Sequence, residues 1–294
     1  MTSAIQDIIN ALSLGGLYAL AALGIALIFG VMRLINFAHG ELVMVGAYGL
    51  WVWQNQPWPL LLGLTVALVV VMALIMELVA FRPIRDADPT TMLVTSFFVS
   101  SVLQNMAILI LGSRNKTMSV LPGLLNDFEV SGVYVQRIDA VTVGVSLGLL
   151  VLVGLFLSRT LIGIQIRAAS ENYTMARLLG VRGNRVIPAA FVVSGVLAAM
   201  VSIFLIGRTG NVYPQVGFQP ALIGFVATVL GGMGSLRGAV LGGFVLGAMT
   251  VGLQSHLPTG LAPYRDAFLF MGVIILLVWR PNGLLPTKFA GERV

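Results

Sequence analysis

Apolar runs of about 20 residues, each long enough to cross a hydrocarbon core about 30 Å thick, follow one another along almost the whole chain. Inside lipid such a run has no water to bond its N–H and C=O groups, so only an internally bonded helix or a closed barrel is viable. Nine segments qualify as apolar helices, at roughly 8–31, 40–55, 60–80, 91–112, 139–158, 187–207, 219–233, 239–256 and 266–279. Several are short for a full crossing. The 219–233 and 239–256 pieces, joined by Gly231-Gly232-Met233-Gly234-Ser235, read either as two spans or as a broken, partly re-entrant pair. The expected fold is an all-α polytopic membrane protein with eight or nine transmembrane helices, in one transmembrane domain over residues 1–294. Of 294 residues 58% are hydrophobic and 10% charged, which leaves little chain for a soluble domain. No Lys or Arg precedes the first apolar run, so it is expected to stay as a helix and not be cleaved as a signal peptide.

The charges that remain are sorted by side. Alternating the crossings puts Arg33, Arg82, Arg85, Arg159, Arg167, Arg177, Arg182, Arg185, Arg237, Arg280, Lys288 and Arg293 on one face, twelve of the seventeen basic residues. Arg114, Lys116, Arg137, Arg208 and Arg265 fall on the other. The positive-inside rule makes the richer face cytoplasmic, with the N-terminus and the 113–138 loop outside and the C-terminus inside. The net charge of +6 is explained by this topology, so no nucleic-acid partner is expected. With no cysteine and only His39 and His256 as histidines, the chain offers neither disulfides nor a metal site.

Function is sought where the chain breaks membrane rules. The stretch Arg33-Leu34-Ile35-Asn36-Phe37-Ala38-His39-Gly40-Glu41 places an amide, an imidazole and a carboxylate between two apolar helices. Such groups either face a polar path through the protein or simply cap helix ends in a turn. Gln104 and Asn105 in the fourth segment are suited to bonding across helices or lining a path, and Thr228 in the seventh is a further intramembrane polar residue. Glu77 is expected to pair with Arg82 near the cytoplasmic interface. Glycines four residues apart, Gly144 with Gly148, Gly238 with Gly242 and Gly243 with Gly247, mark close helix packing.

The longest loop on the basic face, 159–186, predicts a short amphipathic helix in which Ala169, Tyr173, Ala176 and Gly180 share a stripe. Gly180 suits its C-terminal stop and Arg177 its last turn. The small apolar side chains fit a protein groove better than a lipid surface.

Five ordered motifs carry a family resemblance. They are Leu14-Gly15-Gly16-Leu17-Tyr18-Ala19-Leu20; Ile35 to Glu41; Ala176-Arg177-Leu178-Leu179-Gly180; Leu230 to Ser235 with Gly238 to Gly243; and Arg280-Pro281-Asn282-Gly283-Leu284. Together they resemble the LivH-type permease of branched-chain amino acid ABC importers. The resemblance implies a multi-pass subunit of a bacterial or archaeal cytoplasmic membrane. Its partners would be a second permease, LivM-type or a second copy, two cytoplasmic ATPases and an extracytoplasmic substrate-binding protein. It makes residues 169–180 the coupling helix, with Ala169, Ser170, Glu171, Tyr173, Ala176, Arg177, Leu179 and Gly180 as candidate ATPase contacts. Asn36, Phe37, His39, Gly40, Glu41, Gln104, Asn105 and Thr228 are the candidates for the substrate path or gate. The general importer loop has Glu-Ala-Ala, three residues, then Gly; here Thr174-Met175-Ala176 precedes Gly180 by that spacing, so only the last alanine and the glycine match.

No cofactor is expected on this chain, with ATP and Mg on the partner ATPases. Neither lysine stands in a Gly-x-x-x-x-Gly-Lys-Ser/Thr loop, so the chain is expected to be a non-catalytic transport subunit. The cargo reads as branched-chain or other neutral amino acids, with urea, short amides or nucleosides as alternatives. A secondary transporter or channel would need an ionisable relay or a ring of pore charges, and a membrane enzyme a nucleophile with its base. Neither constellation is evident.

Overall fold

The computed structural model describes residues 2–85, 87–119, 127–130 and 133–285. The basic residues Lys288 and Arg293 and part of the 113–138 loop lie outside them. Every apolar segment read from the sequence is a helix: α1 (Thr2–Met32), α2 (His39–Val52), α3 (Trp58–Ile75), α4 (Pro89–Leu111), α5 (Arg137–Arg159), α8 (Gly183–Thr209), α9 (Phe218–Gly231), α10 (Leu236–His256) and α11 (Arg265–Trp279). Between α5 and α8 lie α6 (Leu161–Glu171) and α7 (Tyr173–Leu178). The protein is thus a nearly all-α, multi-pass membrane protein.

Seven of these helices are long and apolar enough to cross a membrane. The exceptions, α2 and α9, have 14 residues each, about 21 Å of helix against a core of about 30 Å. Both begin inside the bundle. His39, the first residue of α2, packs on Gly24, eight residues before α1 ends, so α2 starts about 12 Å in from that end. Residues 33–38 therefore re-enter the bundle as irregular backbone, and α2 completes the crossing. Residues 210–217 do the same ahead of α9, entering from the opposite face.

The α1 rod is the core. It packs against α5, α6, α8, α9 and α10, and from Leu17 to Met32 every residue is buried. The α1–α10 seam is built by glycines. A Cβ on Gly243 would strike the backbone of Ala19, and one on Gly247 the backbone of Gly15. Gly238 likewise faces Gly231 and Gly242 faces Ala227 across the α9–α10 seam. This close approach lets dispersion act between helices that lipid does not drive together. Gly144 and Gly148 differ: a Cβ there meets nothing within 4 Å. The outward faces of α4, α5 and α11 carry exposed apolar side chains such as Phe98, Leu109, Val151 and Val278.

Local chemistry sets several ends. Asp88 caps α4, its carboxylate accepting from the Thr91 hydroxyl at 2.7 Å and from the Thr91 N–H at 3.0 Å, and these bonds hold that exposed carboxyl below its ordinary pKa. Beyond α3 the chain widens into a π-helix, Met76–Phe81, then tightens into a 3-10 turn, Arg82–Ile84. This change of pitch alters the expected ion pair: Glu77 pairs with Arg85, not Arg82. Arg85 also donates to Asn184 Oδ1 at the start of α8, 2.6 Å away. Near the face where α1 begins, Arg208 of α8 pairs with Asp139 of α5 at 2.9 Å, and Ser13 of α1 donates to the same carboxylate at 2.9 Å. That trio ties three helices at one level. Short strands Lys116–Thr117 and Asn211–Val212 pair antiparallel on the same side.

Candidate functional site

The N-terminus of α2 meets that of α9 in the middle of the bundle. A Cβ on Gly40 would lie 2.6 Å from the carbonyl oxygen of Gly217, and a Cβ on Gly217 would collide with that of Gly40. Only glycine at both positions lets the two backbones touch. Neither helix has a side-chain cap, the capping positions being Ala38 and Gly217. The positive ends of two helix dipoles thus converge in a region with little water.

Polar side chains gather around this junction. Asn36 is buried and neither atom of its amide has a protein partner among the described residues. His39 is fully buried, with Nδ1 3.1 Å from Ser194 Oγ, which also lies 3.0 Å from the Gly24 carbonyl oxygen. Both bonds form together only if the serine donates to the carbonyl and accepts from Nδ1–H, which leaves Nε2 as a bare acceptor. Glu41 is 2% exposed; its Oε1 accepts from Ser100 at 2.8 Å and from Gln104 at 2.7 Å, while Oε2 has no partner. An acidic residue in the first turn of α2 complements that helix dipole, whereas the first turn of α9 has none.

Beside Glu41 opens a cavity of about 450 Å³, walled by Phe37, Phe97, Phe218 and Leu222 and carrying Ser100, Ser101, Gln104 and Gln215 as its other polar groups. Phe37 stacks on Phe97 with centroids 4.5 Å apart and leans on Phe225 of α9. Its backbone N–H reaches Ser96 Oγ of α4 at 3.4 Å. A small cavity that is mostly apolar, with a few fixed polar groups, is the usual form of a site for a small organic molecule.

The sequence-based candidates divide. Phe37, Glu41 and Gln104 come together at the cavity, with Asn36, His39 and Gly40 directly behind it. Asn105 does not join them: its side chain is exposed and bonds Ser101 O on its own helix at 2.8 Å. Thr228 is spent on packing, its hydroxyl shared between Ala22 O of α1 and Gly224 O of α9. Ser100, Phe97 and Phe218 were not singled out from the sequence. Ser100 lies one helical turn before Gln104, a spacing that places both on one face of α4.

The loop helix is two helices, not one. Asn172 is extended at φ −152° and caps α7 by accepting from the Met175 N–H at 3.0 Å, which ends α6 at Glu171. Ala169, Ser170 and Ala176 consequently face inward, Ser170 against Gly30 of α1. Arg33 Nη2 reaches the Glu171 carbonyl at 3.3 Å, a second tie from this segment to the end of α1. Tyr173 is half-buried beside Gly183, with Arg177 over its ring. Gly180 at φ +92° stops α7, where the Val181 N–H reaches back to Ala176 O. Outward project Met175, Leu178 and Leu179, the last two 77% and 86% exposed. Of these only Leu179 was expected; Met175 and Leu178 become visible once the break at Asn172 rotates α7.

Residues 7–278 match the family described as the permease component of branched-chain amino acid transport systems. The chain is 32% identical to the high-affinity branched-chain amino acid transport system permease protein BraD of Pseudomonas aeruginosa, over 96% of this chain and 95% of that protein. It is 32% identical, with the same coverage, to the corresponding permease protein LivH of Escherichia coli K12. A probable branched-chain amino acid transport permease, LivH of Methanocaldococcus jannaschii, is 25% identical over 94% of this chain and 90% of its own. No solved structure matches. The five motifs lie on the α1 core, the α2 entrance, the α7 stop, the α9–α10 seam and the end of α11, so the match follows the architecture from end to end: the chain belongs to the family of permease components of branched-chain amino acid transport systems.

Proposed function

We propose that this chain forms part of the translocation path of an ABC importer for branched-chain or other neutral amino acids. The observation that carries this reading is the cavity at the junction of α2 and α9, a polar and aromatic recess within the bundle. Crossings broken near the midplane are a recurrent way for membrane transporters to present backbone and polar groups to a solute. The names of the related permeases supply the solute class.

The face bearing α6 and α7 is cytoplasmic, in keeping with its share of the basic residues. There one of the two partner ATPases, carrying ATP and Mg, docks on α7 through Leu178 and Leu179, with Glu171 and Arg177 at the rim, and the other docks on the second permease. A thrust on α6 and α7 reaches α1 through Ser170 on Gly30 and through Arg33. It alters how α1, α9 and α10 pack at their glycine seams, and so how the cavity opens to either side. A second permease, LivM-type or a second copy, completes the path on the open side of the cavity, near α4 and α9. An extracytoplasmic binding protein delivers solute to the face where α1 begins. This chain supplies path and coupling and performs no covalent chemistry.

The test is purification of the intact complex from native membrane, with ATP hydrolysis measured against leucine-loaded, urea-loaded and empty binding protein. Two ATPases and stimulation by the leucine-loaded form are expected. Stimulation by urea alone would change the cargo, and a chain that came out with no ATPase but with intrinsic flux would overturn the reading in favour of a secondary carrier or channel.

A further inference from the structure

Glu41 is the one acidic side chain at the cavity, and half of its acceptor capacity is unused. Oε1 is held by Ser100 and Gln104, which fixes the plane of the carboxylate, while Oε2 meets no donor. No arginine, lysine or histidine pairs with it among the described residues. A carboxylate in the middle of a membrane domain with no cation beside it is costly, and what relieves the cost is a proton or a cation that arrives. On the same cavity α9 presents the opposite need. Its N-terminus starts at Phe218 on the cavity wall with no side-chain cap and no acidic residue in its first turn; the Phe218 N–H is bonded to Gln215 O and Pro220 carries none, which leaves the Gln219 N–H and the helix dipole. The same cavity has an apolar wall of Phe37, Phe97 and Leu222.

We infer that this cavity is a zwitterion subsite: the Glu41 carboxylate receives the α-ammonium of an aliphatic amino acid, the N-terminal end of α9 faces its carboxylate, and the aromatic wall takes its side chain. The inference rests on the importer reading above and adds to it a basis for choosing cargo within the membrane subunit itself. Urea and simple amides carry no cation for Glu41 and no anion for α9. Charge-assisted bonds to a fixed, desolvated carboxylate discriminate strongly, because the partner left unpaired is penalised.

The absence of cysteine allows a direct test on the assembled importer in membrane vesicles. Ser101 lines the cavity and is exposed, so Ser101→Cys gives a single reporter thiol on this chain. Its modification by a small neutral methanethiosulfonate is read from the mass of this subunit alone. Leucine should protect the thiol, 3-methylbutylamine should protect it more weakly, and 4-methylpentanoate, which lacks the amine, should not. Adding Glu41→Gln keeps an oxygen for Ser100 and Gln104 but removes the anionic acceptor, and should weaken leucine protection about tenfold or more. Glu41→Asp, which keeps the charge on a shorter arm, should fall between.

Protection by 4-methylpentanoate as strong as by leucine, or no protection by leucine at all, would overturn the subsite; so would leucine protection undiminished in Glu41→Gln. The ligand series is read with Glu41 intact, so failure of the variant to assemble does not spare the inference. Stimulation of ATP hydrolysis by leucine-loaded binding protein is measured on the same vesicles. If it persists while protection fails, the importer stands and only the subsite falls.

Discussion

Replacing Leu178 and Leu179 together by alanine should uncouple the subunit from its ATPases without unfolding it. Both side chains project from the end of α7 into open space, 77% and 86% exposed, so their removal leaves no cavity within this chain. Full burial of a leucine is worth about 1.5–3 kcal/mol, so scaling by the exposed fractions gives about 2.5–5 kcal/mol for the pair on docking. Even if docking covers half of that area, the loss is about 1.2–2.5 kcal/mol, and every 1.4 kcal/mol is a factor of about ten in affinity. The assay is titration of the ATPase subunit onto the permease pair in nanodiscs, with thermal unfolding of the permease alone as the control. An ATPase affinity within about twofold of the parent, with unchanged stimulated hydrolysis, would show that α7 does not dock through these residues and would refute the reasoning.

Three further outcomes follow from packing and charge. Asp139→Ala strands Arg208 and removes an acceptor from Ser13 where α1, α5 and α8 are joined; since Arg208 is partly exposed, the expected cost is about 1–3 kcal/mol, seen as a lower melting temperature in detergent. Asp139→Asn, which keeps an oxygen for the Ser13 hydroxyl, should lose less. Gly217→Ala drives a methyl group into the Gly40 carbonyl and should cost about 1–3 kcal/mol or part α2 from α9, read as thermal instability and altered labelling of Ser101→Cys. Gly144→Ala, where a Cβ meets nothing, should fall within about 0.5 kcal/mol of the parent by the same melting assay.

The helices were legible because lipid imposes a length and forbids alternatives: each apolar run became a helix within a few residues of its expected ends. The α7 stop at Gly180 was legible for a similar reason, since few residues other than glycine hold φ near +92°. The Glu77 pairing was misassigned because a π-helical turn, which no local pattern announces, displaced everything beyond Met76. The division of the loop helix had a signal that the apolar stripe overrode. Asn172 stands three residues before the N–H it caps, the spacing of a helix start. The junction of Gly40 with Gly217 was beyond reach, for it joins residues far apart in the chain through backbone atoms that carry no residue-specific mark. Glu41 and Gln104 could each be named as polar residues in apolar surroundings, but their bond, and the free oxygen it leaves, depended on how α2 enters beside α4.

The α1 helix runs unbroken for 31 residues, about 46 Å, and is gripped at two levels: Ser170 sits on Gly30 near its last turn, and Asp139 holds Ser13 about a third of the way along. Those grips are 17 residues apart, about 25 Å of stiff rod, and the glycine seam with α10 lies nearer the Ser13 grip. A rod so mounted behaves as a lever. A tilt of only about 5° at the α6 grip would sweep the Ser13 level by about 2 Å, enough to separate a hydroxyl from its carboxylate. Two levels that no side chain spans are thereby made to keep time with each other.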